Sequence, residues 1–206
     1  MTAHPLFNRI AEGLSADGWF TVPGFVSRED AIAIRDEAVS LREEGEFRRA
    51  GIGKQGEFQY DKSIRGDEIH WVDESEAISP VKEYLNRIAD LQDYLNQTCF
   101  LGLRDFESHF AVYPVGTRYA RHADRFKNNP HRIVSSVLYL NPDWEEADGG
   151  QLVIYQEDGK EVSILPEAGK LVCFRSELEH EVLPCNRARY SMTGWFLDQP
   201  LGLTFL

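Results

Sequence analysis

The chain has 206 residues, 42% of them hydrophobic, and a formal net charge of −12. That length and apolar content suit one domain, residues 1–206, with a packed core, and exclude a disordered chain. The acidic balance speaks against a nucleic-acid duplex or an anionic membrane as partner, although a local basic mouth can hide inside such a total.

The opening Met-Thr-Ala-His-Pro lacks the basic-then-apolar layout of a signal peptide, and no apolar run reaches the length of a membrane span. Cys99, Cys173 and Cys185 form no CxxC pair, which fits a reducing compartment. A soluble cytoplasmic protein, monomeric by default, is the expectation.

Phe7, Ile10 and Leu14 recur at helical spacing within residues 5–16 and predict a short amphipathic helix. Gly18-Trp-Phe-Thr-Val22 reads as a strand that Pro23-Gly24 ends. Ser27, with Asp30 three residues on, resembles a capping box; the helix it opens runs to about Glu44, with Ile34, Ala38 and Leu41 on one face. Residues 76–96 carry the clearest helical pattern. Ser79 is its expected cap, Pro80 suits the first turn, and Val81, Tyr84, Leu85, Ile88 and Leu95 form a stripe. Such stripes are signatures of core packing. Between these two helices, residues 49–67 carry Gly51, Gly53, Gly56 and Gly66 among polar residues, the texture of a mobile lid or of a slack surface loop.

From about residue 104 the texture changes. Ser108–Tyr113, Ile133–Leu140, Gln151–Tyr155, Val162–Leu165, Lys170–Phe174, Glu181–Leu183 and Tyr190–Leu197 are short apolar or alternating runs. Asn141-Pro142, Gly149-Gly150, Asp158-Gly159 and Ala168-Gly169 separate several of them. Many short strands at even spacing predict an antiparallel sandwich or barrel behind a helical front, residues 1–100 supporting residues 104–197.

His122 and Asp124 lie two apart, so in extended chain both side chains reach the same face. His180 follows a later strand and a short loop, and antiparallel strands can bring it to the same mouth. Two imidazoles and a carboxylate leave about three positions of an octahedral ion open, which suits ferrous iron. Zinc in hydrolases uses the same ligand types, and an exposed loop pair at 122 and 124 is the competing reading. His4, His70, His109 and His131 read as solvated or hydrogen-bonded histidines.

Arg189 opens the last strand. An inward-facing arginine in an apolar strand requires an anion, and its planar fork matches a carboxylate; a strand-end arginine facing water is the alternative. Thr193, four residues on, shares its strand face, and the Tyr139 phenol can add a hydrogen bond to the same carboxylate.

These stretches resemble the 2-oxoglutarate- and iron(II)-dependent dioxygenases, and within them the bacterial prolyl hydroxylases similar to the oxygen-sensing hydroxylases of animals. Arg65-Gly-Asp-Glu-Ile-His-Trp71, Tyr113-Pro-Val-Gly-Thr-Arg-Tyr-Ala-Arg-His-Ala-Asp124, Leu138-Tyr-Leu-Asn-Pro-Asp-Trp144 and Gly149-Gly-Gln-Leu152 carry the likeness. Gly169-Lys-Leu-Val-Cys-Phe174, His180-Glu-Val-Leu-Pro184 and Arg189-Tyr-Ser-Met-Thr-Gly-Trp195 continue it in order. The resemblance implies a double-stranded β-helix, or jelly roll, braced by N-terminal helices. It implies iron held by His122, Asp124 and His180, and 2-oxoglutarate anchored by Arg189 with Tyr139, Tyr113 and Thr193 beside it. It places Trp195 in the pocket wall, Arg132, Arg65 and Asp67 at the substrate mouth, and residues 49–67 as a loop that folds over the substrate.

The implied reaction is 4-hydroxylation of a prolyl residue in an intracellular protein, with dioxygen consumed, succinate and carbon dioxide released, and ascorbate as an accessory reductant. Elongation factor Tu is the candidate target, bound transiently. The alternatives are a hydroxylase of free amino acids or other small molecules, and a non-catalytic iron or oxygen sensor. The stretch from Tyr113 to His122 is one residue shorter than in the animal enzymes, and no long C-terminal helix precedes Leu206.

Overall fold

Helix α1 (Pro5–Ala16) begins where Pro5 fits the first turn and the His4 ring accepts from the Phe7 backbone N–H. Helix α2 (Arg28–Glu43) starts at the expected Ser27, whose Oγ accepts from the Asp30 N–H at 3.0 Å and donates to the Asp30 carboxylate at 2.6 Å. Helix α3 spans Ser79–Cys99, later than the 76–96 pattern suggests. Asp73 and Ser75 close a turn there, and Ile78 is the cap. Ser79 is not the cap: it is already helical, and its hydroxyl bonds Glu83 one turn on. These elements belong to a computed structural model that describes residues 4–51, 64–125 and 130–200.

Eleven strands follow in chain order among the described residues: β1 (Trp19–Val22), β2 (Arg48–Arg49), β3 (Glu68–Trp71), β4 (Asp105–Tyr113), β5 (Tyr119–His122), β6 (Arg132–Tyr139), β7 (Leu152–Tyr155), β8 (Glu161–Ile164), β9 (Leu171–Arg175), β10 (His180–Val182) and β11 (Arg189–Leu197). They form a seven-stranded sheet, β1-β9-β6-β11-β4-β3-β2, and a four-stranded sheet, β5-β10-β7-β8. Every paired neighbour is antiparallel. This is the helix-braced jelly roll expected from the sequence.

Period-two alternation divides the core in two. On β11, Tyr190, Met192 and Phe196 join the cluster that α1, α2 and α3 cover. On β4, β6 and β9 the residues sharing that face are Phe110 and Val112, Val134 and Leu138, and Leu171 and Cys173. The alternate residues, among them Ala111, Tyr113, Val137, Tyr139, Val172 and Phe174, form a second cluster with Leu152, Ile154 and Val182 of the smaller sheet. Both faces of the large sheet are therefore buried, which is why its central strands read as nearly continuous apolar runs. Among the described residues, no helix is long and apolar enough to cross a membrane.

Candidate metal centre and its cavity

Antiparallel register brings the three proposed ligands together. On β10, His180 stands directly opposite His122 of β5, so the 58-residue gap collapses to a cross-strand pair with ring centroids 4.3 Å apart. Asp124 follows just past β5 and is buried. Its two carboxylate oxygens lie 3.7 Å from His122 Nε2 and 3.6 Å from His180 Nε2. All three ligand atoms fall within 4.8 Å of one another, a spacing at which they can hold one metal ion.

The protonation states suit a metal. Nδ1 of His122 faces the Ala120 carbonyl at 2.8 Å, and Nδ1 of His180 faces the Leu178 carbonyl at 3.0 Å. Each Nδ1 is thereby committed to a backbone carbonyl, and each Nε2 is turned toward Asp124 and the site. Burial, then the neighbouring His180, hold His122 down at about 4, so the imidazole is neutral at ordinary pH. Burial pushes Asp124 up, but the two histidines and the Ser135 hydroxyl outweigh it and keep the carboxylate at about 2. Ser135 Oγ donates to Asp124 Oδ2 at 2.6 Å, and Ser176 Oγ stands 2.8 Å behind it; both serines are fully buried. Sequence reasoning missed this pair, because two serines 41 residues apart carry no signal until the strands register.

Arg189 lies inside the barrel, 2% exposed, between the rings of Tyr113 and Tyr139 at 5.0 and 5.1 Å. Its Nε donates to the Gly150 carbonyl at 2.9 Å and one terminal nitrogen reaches Ser191 Oγ at 3.4 Å. Among the described residues no carboxylate pairs with it. A buried guanidinium with only neutral acceptors is completed by a bound anion. The Tyr139 hydroxyl beside it is buried without a partner in hydrogen-bond geometry. Together the arginine and the phenol fit the carboxylate of 2-oxoglutarate.

The metal cluster and Arg189 line one cavity of about 840 Å³. Thr193 and Trp195 of β11 line it too, as do Arg65, Asp67 and Arg132. The last three already have partners: Arg65 binds Asp67 through two nitrogens at 2.7 and 3.0 Å, and Arg132 binds Glu107 and lies 3.4 Å over the Trp195 ring. Tyr119, which sequence reasoning passed over, stacks on His122 with centroids 3.6 Å apart, beneath the Arg65 guanidinium. His109 is hydrogen-bonded to the Phe110 carbonyl as expected, yet it also lines the cavity between Trp71 and Trp195. The loop proposed as a lid falls mostly on residues 52–63, outside the described residues; its flanks, Arg49 to Gly51 and Arg65 to Asp67, border the cavity.

Residues 108–197 match the model of the 2OG-Fe(II) oxygenase superfamily. A Pseudomonas putida prolyl-4-hydroxylase structure is 41% identical, with a TM-score of 0.85, and the match covers 95% of this chain and all of that one. A prolyl hydroxylase from Trichoplax adhaerens, solved with a hypoxia-inducible-factor peptide fragment, is 29% identical with a TM-score of 0.83, covering 94% of this chain and 89% of that one. Egl nine homolog 1 of Mus musculus is 32% identical over 196 residues, covering 90% of this chain and 48% of that protein. The chain spans about half the length of the curated relatives it matches first. The chain belongs to the 2OG-Fe(II) oxygenases, among their prolyl hydroxylases.

Proposed function

We propose that the chain is a prolyl 4-hydroxylase acting on a polypeptide. The carrying observation is the convergence, in one cavity, of two imidazoles and a carboxylate with a buried arginine that has no carboxylate partner. His122, Asp124 and His180 hold the iron, and Arg189 with the Tyr139 phenol holds the far carboxylate of 2-oxoglutarate. Bound iron with 2-oxoglutarate and dioxygen supplies the oxidising power to hydroxylate a C–H bond, with succinate and carbon dioxide as products.

The protein's own contribution is positioning and an apolar wall. The neutral His122 imidazole and the ionised Asp124 carboxylate are presented without first losing protons. Tyr113 and Tyr139 clasp Arg189 so that its fork meets the co-substrate in one orientation. Trp195, Val137 and Phe174 line the cavity that contains both groups and make part of its wall apolar. Thr193 and the Arg132–Trp195 stack frame the side from which a substrate enters.

The substrate is a transiently bound protein in the cytoplasm, with elongation factor Tu as the candidate, and ascorbate keeps the iron reduced. Resemblance to enzymes of protein substrates supports the first part. The test is an anaerobic titration of metal-free protein with iron(II) and 2-oxoglutarate, followed in the visible charge-transfer region. A band that decays in air with succinate release supports the reading, and hydroxyproline in a target peptide completes it. If no band forms with both components present, the ligand set or the Arg189 pocket is misassigned.

A further inference from the structure

The cavity is more basic than the chain that builds it. Its wall carries Arg48, Arg49, Arg65, Arg132 and Arg189 against Asp67 and Asp124, in a chain with 34 acidic and 22 basic residues. Asp67 answers Arg65, Glu107 answers Arg132, and Arg189 is enclosed in the barrel. Arg48 and Arg49 are left. Both are exposed, and neither pairs with a carboxylate among the described residues. Glu68, the cross-strand neighbour of Arg49, is taken by Arg42 at 2.7 Å. Arg48 stands opposite Ile69, and cross-strand partners share a face, so it projects on the side of Ile69 and Trp71, which line the cavity.

We propose that Arg48 recognises an acidic side chain of the polypeptide substrate close to the prolyl residue that is hydroxylated. The inference rests on the prolyl hydroxylase reading above and adds the class of substrate. Strand β2 is the edge of the large sheet, three strand spacings from β11, or about 14 Å. Arg48 and the metal ligands line one cavity, so the acidic residue belongs within a few positions of the proline, about four residues of extended peptide covering roughly that length. Trp71, 38% exposed, lies on β3 between the arginines and the interior and offers the intervening peptide an apolar surface. The field at this mouth draws an acidic segment that the rest of this acidic surface repels. An arginine pair on an edge strand also deters pairing with a second sheet, but that role needs no acidic ligand.

The experiment measures binding of labelled proline-containing peptides to the full chain loaded with manganese(II) and N-oxalylglycine, which hold the site without turnover. One set carries glutamate at successive positions within four residues of the proline, the other lysine at the same positions. The expected result is about three- to tenfold tighter binding of the best glutamate peptide than of its lysine counterpart in dilute buffer, a gap that narrows above about 0.15 M salt. Arg48→Glu reverses the order, and Arg48→Lys keeps it. Equal binding of the two sets, or a preference that survives Arg48→Glu, overturns the proposal. Hydroxyproline formation is scored separately in the iron-loaded enzyme. Its absence from every peptide, with the binding preference intact, rejects the hydroxylase reading and leaves the acidic-ligand site standing.

Discussion

Ser135 has no place in the ligand set, yet its hydroxyl fixes one oxygen of Asp124 and is itself fixed by Ser176. A carboxylate so held presents its other oxygen to a metal without a search over rotamers. Groups that orient metal ligands typically carry about 10- to 100-fold in metal affinity. Ser135→Ala should therefore weaken iron(II) or cobalt(II) binding about tenfold in an anaerobic titration, and Ser135→Thr, which keeps the hydroxyl, should restore it. Unchanged affinity in the alanine variant would make the hydroxyl a packing group only. Asp124→Ala removes the anionic ligand itself and should abolish both metal retention and succinate formation. Arg189→Ala removes a buried charged donor; at about 2–3 kcal/mol for charge-assisted bonds it should raise the 2-oxoglutarate KM by about 100-fold, with metal affinity unchanged. Loss of metal together with co-substrate would show that the variant had collapsed the barrel.

At the scale of elements, one turn bears on the site directly, while a second turn and the helix after it bear on the stability of the sheet. The Gly149-Gly150 turn enters β7, and Gly150 sits at φ 65° with its carbonyl accepting from Arg189. A Cβ there would stand 2.9 Å from Cys185 Sγ and 3.0 Å from Arg189 Cδ. Gly150→Ala thus combines left-handed strain of about 1–2 kcal/mol with pressure on the co-substrate arginine. It should raise the 2-oxoglutarate KM several-fold, and a KM equal to wild type would mean that Arg189 yields without losing its aim. The second turn, Asp73 to Glu76, sets where α3 begins. Helix α3 buries Val81, Tyr84, Ile88, Leu91 and Leu95 against the far face of the large sheet and the other helices. It touches neither the metal cluster nor Arg189. Leu91→Ala should cost about 3 kcal/mol in urea unfolding and leave metal affinity as it was. A parallel loss of metal affinity would tie the brace to the site directly.

Across the whole molecule, what could be read from the sequence was what repeats or alternates. The helical stripes, the short strands of the back half and the shared strand face of Arg189 and Thr193 were visible as periodicity, whereas that Arg189 turns inward was not, and Trp195 was named only through the family resemblance. His122 and His180 were legible as candidates only; the register that sets them face to face depends on pairings 58 residues apart. The Ser135–Ser176 pair, the Tyr119 stack and the place of His109 lie in no pattern, because each arises where sequence-distant strands meet. His109 carries a consequence for the entire fold. Burial, and then the Arg65 guanidinium, hold its imidazole down at about 4, well below its usual value of about 6.5. Asp67 and the Phe110 carbonyl pull the other way, and Arg132 adds to the depression. As pH falls below about 6.5 the unfolded chain takes up this proton, while the folded chain refuses it until about 4. The stability tied to His109 is therefore complete above about pH 6.5 and drains away between there and pH 4, at up to about 1.4 kcal/mol per pH unit. His122 in the metal-free protein acts in the same direction. Urea unfolding of the metal-free protein from pH 7.5 to 4.5 should show this fall, and His109→Met, which fills similar space without titrating, should flatten the slope by up to one proton. A variant with the wild-type slope would mean that His109 takes up its proton in the folded state as readily as in the unfolded one, and that the cavity between Trp71 and Trp195 is wetter than its burial implies.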